Sequence, residues 1–110
     1  IVAMARAAGA RRVYLASCSP PLRHPCVYGI DMSTRRELIA RDRSLDEIQQ
    51  TLGADGLVYQ DLSDLEHAVK AGNEELTETC NACFSGDYPT GDVSEKMLVQ
   101  IETERLGHPR

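Results

Sequence analysis

Four cysteines, at positions 18, 26, 80 and 83, are the residues of this 110-residue chain best suited to chemistry. Cys80 and Cys83 form a C-x-x-C, a spacing that lets two thiolates reach one centre from a single turn of chain. Zinc sites, iron–sulfur clusters and thiol–disulfide pairs all use it. Cys26 sits in the loop His24-Pro25-Cys26-Val27-Tyr28-Gly29, beyond the end of a strand, where a rigidly held thiol suits a third ligand. Cys18 directly follows an apolar run and reads as a buried packing residue, since free cysteine behaves as a small hydrophobe. A tetrahedral zinc site needs four donors. Either Cys18 or His24 completes one, or the fourth donor belongs to sequence outside this chain. A redox pair needs an activated thiolate near positive charge, whereas Glu74, Glu75 and Glu78 put negative charge just upstream.

The other polar residues carry less. His24, His67 and His108 share no spacing suited to a metal or a triad; His67 reads as a surface residue of a helix, and His108 falls in a tail, 107–110, expected to fray. Asp31 and Asp55 read as turn or cap residues. The sequence holds no Gly-rich phosphate loop, no G-x-S-x-G and no H-E-x-x-H, so no catalytic machinery is expected within it.

These residues have to be positioned by an α/β framework. Residues 1–8 are Ala-rich helix formers with Gly9 placed to end the helix, and 11–17 read as a buried strand. Pro20, Pro21 and Pro25 exclude regular structure after it, which leaves 18–31 as an ordered loop at the strand's carboxyl edge, where open α/β sheets hold ligands. Capping boxes at Thr34/Glu37, Ser44/Glu47 and Ser63/Glu66 predict helices over 34–41, over 45–52, and from 63 to a stop at Gly72. A second strand is expected at 56–60. Asp92 with Glu95, followed by Met97, Leu98, Ile101 and Leu106 at helical spacing, predicts a last helix over 93–105. Strand and helix alternate, so the class is α/β.

Composition narrows the function. Twelve Lys and Arg against 17 Asp and Glu give a net charge of −5, which argues against a nucleic-acid footprint. Hydrophobic residues make up 42% and charged residues 26%, the mix of a folded domain. No apolar run approaches the roughly 18 residues of a membrane span, and no export signal is present, so a cytoplasmic chain with reduced thiols and no membrane partner is expected. One Phe, no Trp and four Tyr are a thin aromatic inventory, and the chain opens at Ile1 inside a helical run. A piece of a longer protein, sharing its core with absent sequence, is the expectation.

Four blocks of residues carry a family resemblance. They are Ser19-Pro20-Pro21-Leu22-Arg23-His24-Pro25-Cys26-Val27-Tyr28-Gly29-Ile30-Asp31-Met32, then Arg36-Glu37-Leu38-Ile39-Ala40, then Leu52-Gly53-Ala54-Asp55-Gly56-Leu57, and finally the run from Cys80 to Thr90. In this order they resemble the carboxyl-terminal third of the amidophosphoribosyltransferase family. The resemblance implies a fold in two parts: 1–72 as the end of a type I phosphoribosyltransferase-like parallel-sheet domain, and 73–110 as a cysteine-bearing segment with a helix. It implies an enzyme that joins glutamine-derived ammonia to phosphoribosyl pyrophosphate, with Mg²⁺, in the first step of purine synthesis, and a homo-oligomer when complete. Its small-molecule substrates would be phosphoribosyl pyrophosphate and glutamine. The family's glutaminase nucleophile and paired-Asp phosphate loop have no counterpart here, so the chain by itself is expected to be inactive.

In cluster-bearing members of that family the matching positions, Cys26, Cys80 and Cys83, ligate a structural [4Fe–4S] cluster, with a fourth ligand upstream. Cys18 has no ligand counterpart. The stretch Gly91-Asp92-Val93-Ser94-Glu95 is similar instead to cluster-free members. Residues 28–33 lie near the family's nucleotide and ammonia-transfer region, which makes Asp31 a candidate contact. The competing reading is a small zinc-binding interaction module built on Cys26, Cys80, Cys83 and either Cys18 or His24.

Overall fold

The computed structural model describes residues 1–32 and 34–107. The chain forms two compact units, one from Ile1–Pro21 and Asp42–Thr77, the other from Leu22–Arg41 and Glu78–Arg110. The first is the α/β unit. It contains α1 (Val2–Ala7), β1 (Tyr14–Ala16), α2 (Leu45–Leu52), β2 (Gly56–Val58) and α3 (Leu62–Lys70). The strands pair in parallel, with Tyr14 opposite Gly56, Leu15 opposite Leu57 and Ala16 opposite Val58. Parallel strands need a crossover between them, and α2 lies on that return path.

Helix α2 has the bounds that the sequence predicts. Ser44 accepts from the Glu47 N–H, the Glu47 carboxylate receives the Ser44 N–H at 2.7 Å, and Gly53 ends the helix in the left-handed region at φ 66°. Its Ile48 is wholly buried.

The strands are shorter than expected, and the first is not buried. Residues 11–17 yield three strand residues, with Tyr14 63% exposed. The Tyr14 ring lies over Gly56, where an added Cβ would stand 2.8 Å from Cδ1 and push the exposed ring aside. Upstream of β1 the Val13 N–H leaves the ladder and donates to the Asp55 carboxylate at 2.7 Å, while the Asp55 N–H returns to the Val13 carbonyl at 2.8 Å. Strand β2 stops at Val58 because Asp61 already caps α3, accepting from the Asp64 N–H at 3.2 Å. That corrects the expected Ser63/Glu66 start: Ser63 lies inside the first turn, and its carbonyl accepts from the His67 ring instead.

Among its described residues the second unit has two helices, α4 (Ala82–Ser85) and α5 (Glu95–Leu106). Among the described residues of 34–41 no helix forms, contrary to expectation. Thr34 and Glu37 make their side-chain bonds at 2.8 and 2.9 Å, yet they close isolated turns. Arg35, Leu38 and Ala40 are all buried, and positions 38 and 40 cannot share one stripe of a helix. Helix α5 is capped by Ser94, which accepts from the Met97 N–H, rather than by Asp92. It buries Leu98 but leaves Met97, Val99, Ile101 and Leu106 exposed. No helix among the described residues is long and apolar enough to cross a membrane. His108 lies outside them.

Asp55 is the polar tie of the first unit. Its carboxylate takes the Val13 N–H and the Arg6 guanidinium, the latter at 2.8 Å, and Arg6 also reaches the Gly53 carbonyl at 3.0 Å. The Val13 N–H holds the Asp55 carboxyl below its ordinary value, opposed by partial desolvation and helped by Arg6. A depressed carboxyl stabilises the folded state above its unfolded pKa, and that contribution is lost as pH falls through the folded value. Asp55→Asn should therefore lower the melting temperature at neutral pH. The gap to the wild type should narrow as pH drops below 3.8, the ordinary Asp value, in thermal melts followed by circular dichroism.

Candidate cysteine site

The second unit brings the loop that carries Cys26 onto the turn that carries Cys83 through its backbone. Arg23 and His24 both donate their N–H groups to the Cys83 carbonyl, at 3.0 and 3.1 Å, laying the Pro-bounded loop across α4. Gly86 ends α4 at φ 85°, and an added Cβ would lie 3.0 Å from the His24 ring. Glycine there both permits the left-handed turn and leaves room for the imidazole. Farther along, the Tyr88 hydroxyl donates to the Pro25 carbonyl at 2.7 Å, and the Tyr28 and Thr90 hydroxyls meet at 2.9 Å. The Tyr28 and Tyr88 rings pack edge to face with centroids 6.2 Å apart.

These bonds place Cys26 and Cys83 half-buried and leave Cys80 exposed. Burial pushes the Cys83 thiol up, with smaller contributions from Cys26 and Cys80 in the same direction. The Cys26 sulfur accepts the Tyr28 N–H at 3.4 Å. Cys18 belongs to the first unit and is exposed, which corrects its reading as a packing residue: it follows a strand whose own residues stay near the surface. Among the described residues, no group of three or more His, Cys, Asp or Glu side chains converges on a single metal ion. In chemistry, three neighbouring thiols suit part of an iron–sulfur ligand set.

A groove of about 1120 Å³ adjoins the site, lined in part by Cys26, Asp31, Glu37, Ile101 and Arg105. The exposed Asp31 carboxylate pairs with Arg105, which also donates to the Met32 carbonyl. Arg35 escaped the sequence reading. Its guanidinium, 8% exposed, pairs with Glu95 and, at 3.1 Å, with Glu102. Burial pushes the Glu102 carboxyl up, and Arg35's hydrogen bond and charge outweigh that and leave it low. The available signal was the spacing of Glu95, Leu98 and Glu102, three residues of one face of α5.

No family model matches the chain. The amidophosphoribosyltransferase of Escherichia coli is 50% identical over 105 residues, 96% of this chain and 21% of that protein. That of Schizosaccharomyces pombe is 44% identical over 110 residues, all of this chain and 20% of the yeast protein. The chain is similar to amidophosphoribosyltransferases. A solved structure of the Bacillus subtilis glutamine phosphoribosylpyrophosphate amidotransferase, complexed with ADP and GMP, superposes with a TM-score of 0.69 at 44% identity, covering 81% of this chain and 20% of that one. The likeness to amidophosphoribosyltransferases thus agrees with the four motif blocks. The chain spans about a fifth of the length of the relatives it matches.

Arg35→Met should destabilise the protein by about 3 kcal/mol in urea unfolding, because Glu102 is left with a largely buried, unpaired carboxylate. Glu95→Gln should cost much less, since that side chain is 72% exposed.

Proposed function

We propose that this chain is a segment of an amidophosphoribosyltransferase, an enzyme that makes 5-phosphoribosylamine from phosphoribosyl pyrophosphate and glutamine-derived ammonia in the first step of purine synthesis. The observation that carries this reading is 50% identity sustained over 105 of the chain's residues, through both compact units. The exposure of Tyr14 and Val58, at 63% and 65%, also supports it, because parallel strands are ordinarily covered on both faces. On this reading β1 and β2 belong to the end of a type I phosphoribosyltransferase-like sheet within 1–72, and 73–110 is the carboxyl-terminal cysteine-bearing segment. The complete enzyme would be a cytoplasmic homo-oligomer using Mg²⁺.

Cys26, Cys80 and Cys83 are proposed as three ligands of a [4Fe–4S] cluster, supported by the backbone bonds from Arg23 and His24 that lay the Cys26 loop against the Cys83 turn. When bound, the cluster would supply structural cross-linking; the chain's own part is to present Cys26 from a loop, Cys83 from a short helix and Cys80 from the segment just before it. No step of the reaction is assigned to these residues.

Two experiments test the reading. Exchanging the aligned fifth of the Escherichia coli enzyme for this chain should preserve phosphoribosyl-pyrophosphate-dependent glutamate release and growth of a purine auxotroph. A folded chimera lacking both sinks the assignment. Separately, the full-length protein purified without oxygen should hold about four irons and four sulfides per chain. Cys26→Ser should lose both the iron and part of the folded yield, since metal binding energy is also folding energy, while Cys18→Ser should keep them. Stoichiometric zinc in the wild type would favour an interaction module instead.

A further inference from the structure

We propose that Tyr88 is a positioning residue of the cysteine site, its hydroxyl bond to the Pro25 carbonyl fixing the Cys26 backbone in the loop that Arg23 and His24 tie to Cys83. The inference rests on the reading of Cys26, Cys80 and Cys83 as cluster ligands, and it adds a residue that touches none of the reacting atoms.

The reasoning starts from the peptide unit. The Pro25 carbonyl oxygen shares a rigid plane with the nitrogen and Cα of Cys26, and proline fixes the dihedral on its other side. A bond of 2.7 Å from Tyr88 to that oxygen therefore fixes where the Cys26 backbone lies. The ring of Tyr88 then packs edge to face on Tyr28. Tyr28 in turn donates its N–H to the Cys26 sulfur at 3.4 Å, and its hydroxyl is held by Thr90 at 2.9 Å. Cys26 is thus located twice, by its backbone through Tyr88 and by its sulfur through Tyr28. Cys83 is tied to the same loop by the Arg23 and His24 N–H groups. Hydrogen bonds to sulfur and the groups that orient ligands tune both affinity and potential in such sites.

Tyr88→Phe separates positioning from packing, since the ring stays on Tyr28 and only the donated bond is lost. In the full-length protein purified without oxygen, this variant should keep its folded yield and the melting temperature of its iron-free form. Its visible absorption should bleach in air roughly tenfold faster than that of the wild type, with a shifted reduction potential. Thr90→Val, which removes the 2.9 Å hydroxyl bond to Tyr28 and leaves the Thr90 N–H on the same oxygen at 3.4 Å, should bleach at an intermediate rate and serves as the test if Tyr88→Phe fails to fold. Bleaching and potential unchanged in the folded variants, with Cys26→Ser empty of iron, overturn the Tyr88 inference alone. Iron absent from the wild type, or retained in Cys26→Ser, overturns the ligand reading and the inference with it.

Discussion

A guanidinium withdrawn from water must be met by carboxylates in good geometry, and in the second unit that requirement falls on Arg35. The unit's fully withdrawn apolar side chains are few and small among the described residues: Leu38, Ala40, Ala82 and Leu98. Such a core cannot dictate where a twelve-residue helix lies. Arg35 does so, because Glu95 and Glu102 stand two turns apart on the face of α5 that also carries Leu98. The same demand keeps 34–41 from coiling into a helix, since Arg35 has to reach α5 while Leu38 and Ala40 are buried too. Local capping chemistry at Thr34 and Glu37 is satisfied, and longer-range burial decides the backbone.

The cysteine site is held by a related device. Backbone N–H groups of Arg23 and His24 converge on the Cys83 carbonyl, and two tyrosines reach from one strand of loop to the other. None of these bonds requires a metal, yet together they bring the Cys26 loop onto the turn that carries Cys83. Ordering the loop beforehand reduces the entropy that a bound group would otherwise have to overcome. Cys26 in the loop is separated from Cys80, just ahead of α4, by 53 intervening positions, which any group bound to both would cross-link.

The first unit depends on Asp55 in place of a large core. Ile48 is its one wholly buried large side chain among the described residues, and a two-stranded parallel sheet gives little cooperative support. Asp55 joins α1 through Arg6 to the start of β1 through Val13, so one carboxylate ties three segments. Its role as a turn residue was legible from its place between Gly53 and Gly56; its partners were not.

The sequence by itself determined the features that depend on a few neighbouring residues. The α2 helix, with the Ser44 and Glu47 box at one end and Gly53 at the other, follows from hydrogen bonds within one turn. The α/β class follows from alternation, and the likeness to amidophosphoribosyltransferases follows from contiguous motif blocks. Tertiary structure decided whatever depends on partners distant in the chain. It set the three-residue strands, limited by what each can pair with, and the conversion of 34–41 from helix to turns. It exposed Cys18, and it enclosed Arg35 between carboxylates 60 and 67 residues away. It also turned Pro25, Tyr28 and Tyr88 into a frame for Cys26. A side chain's type states which bonds it can make; only the folded chain states which groups arrive within reach.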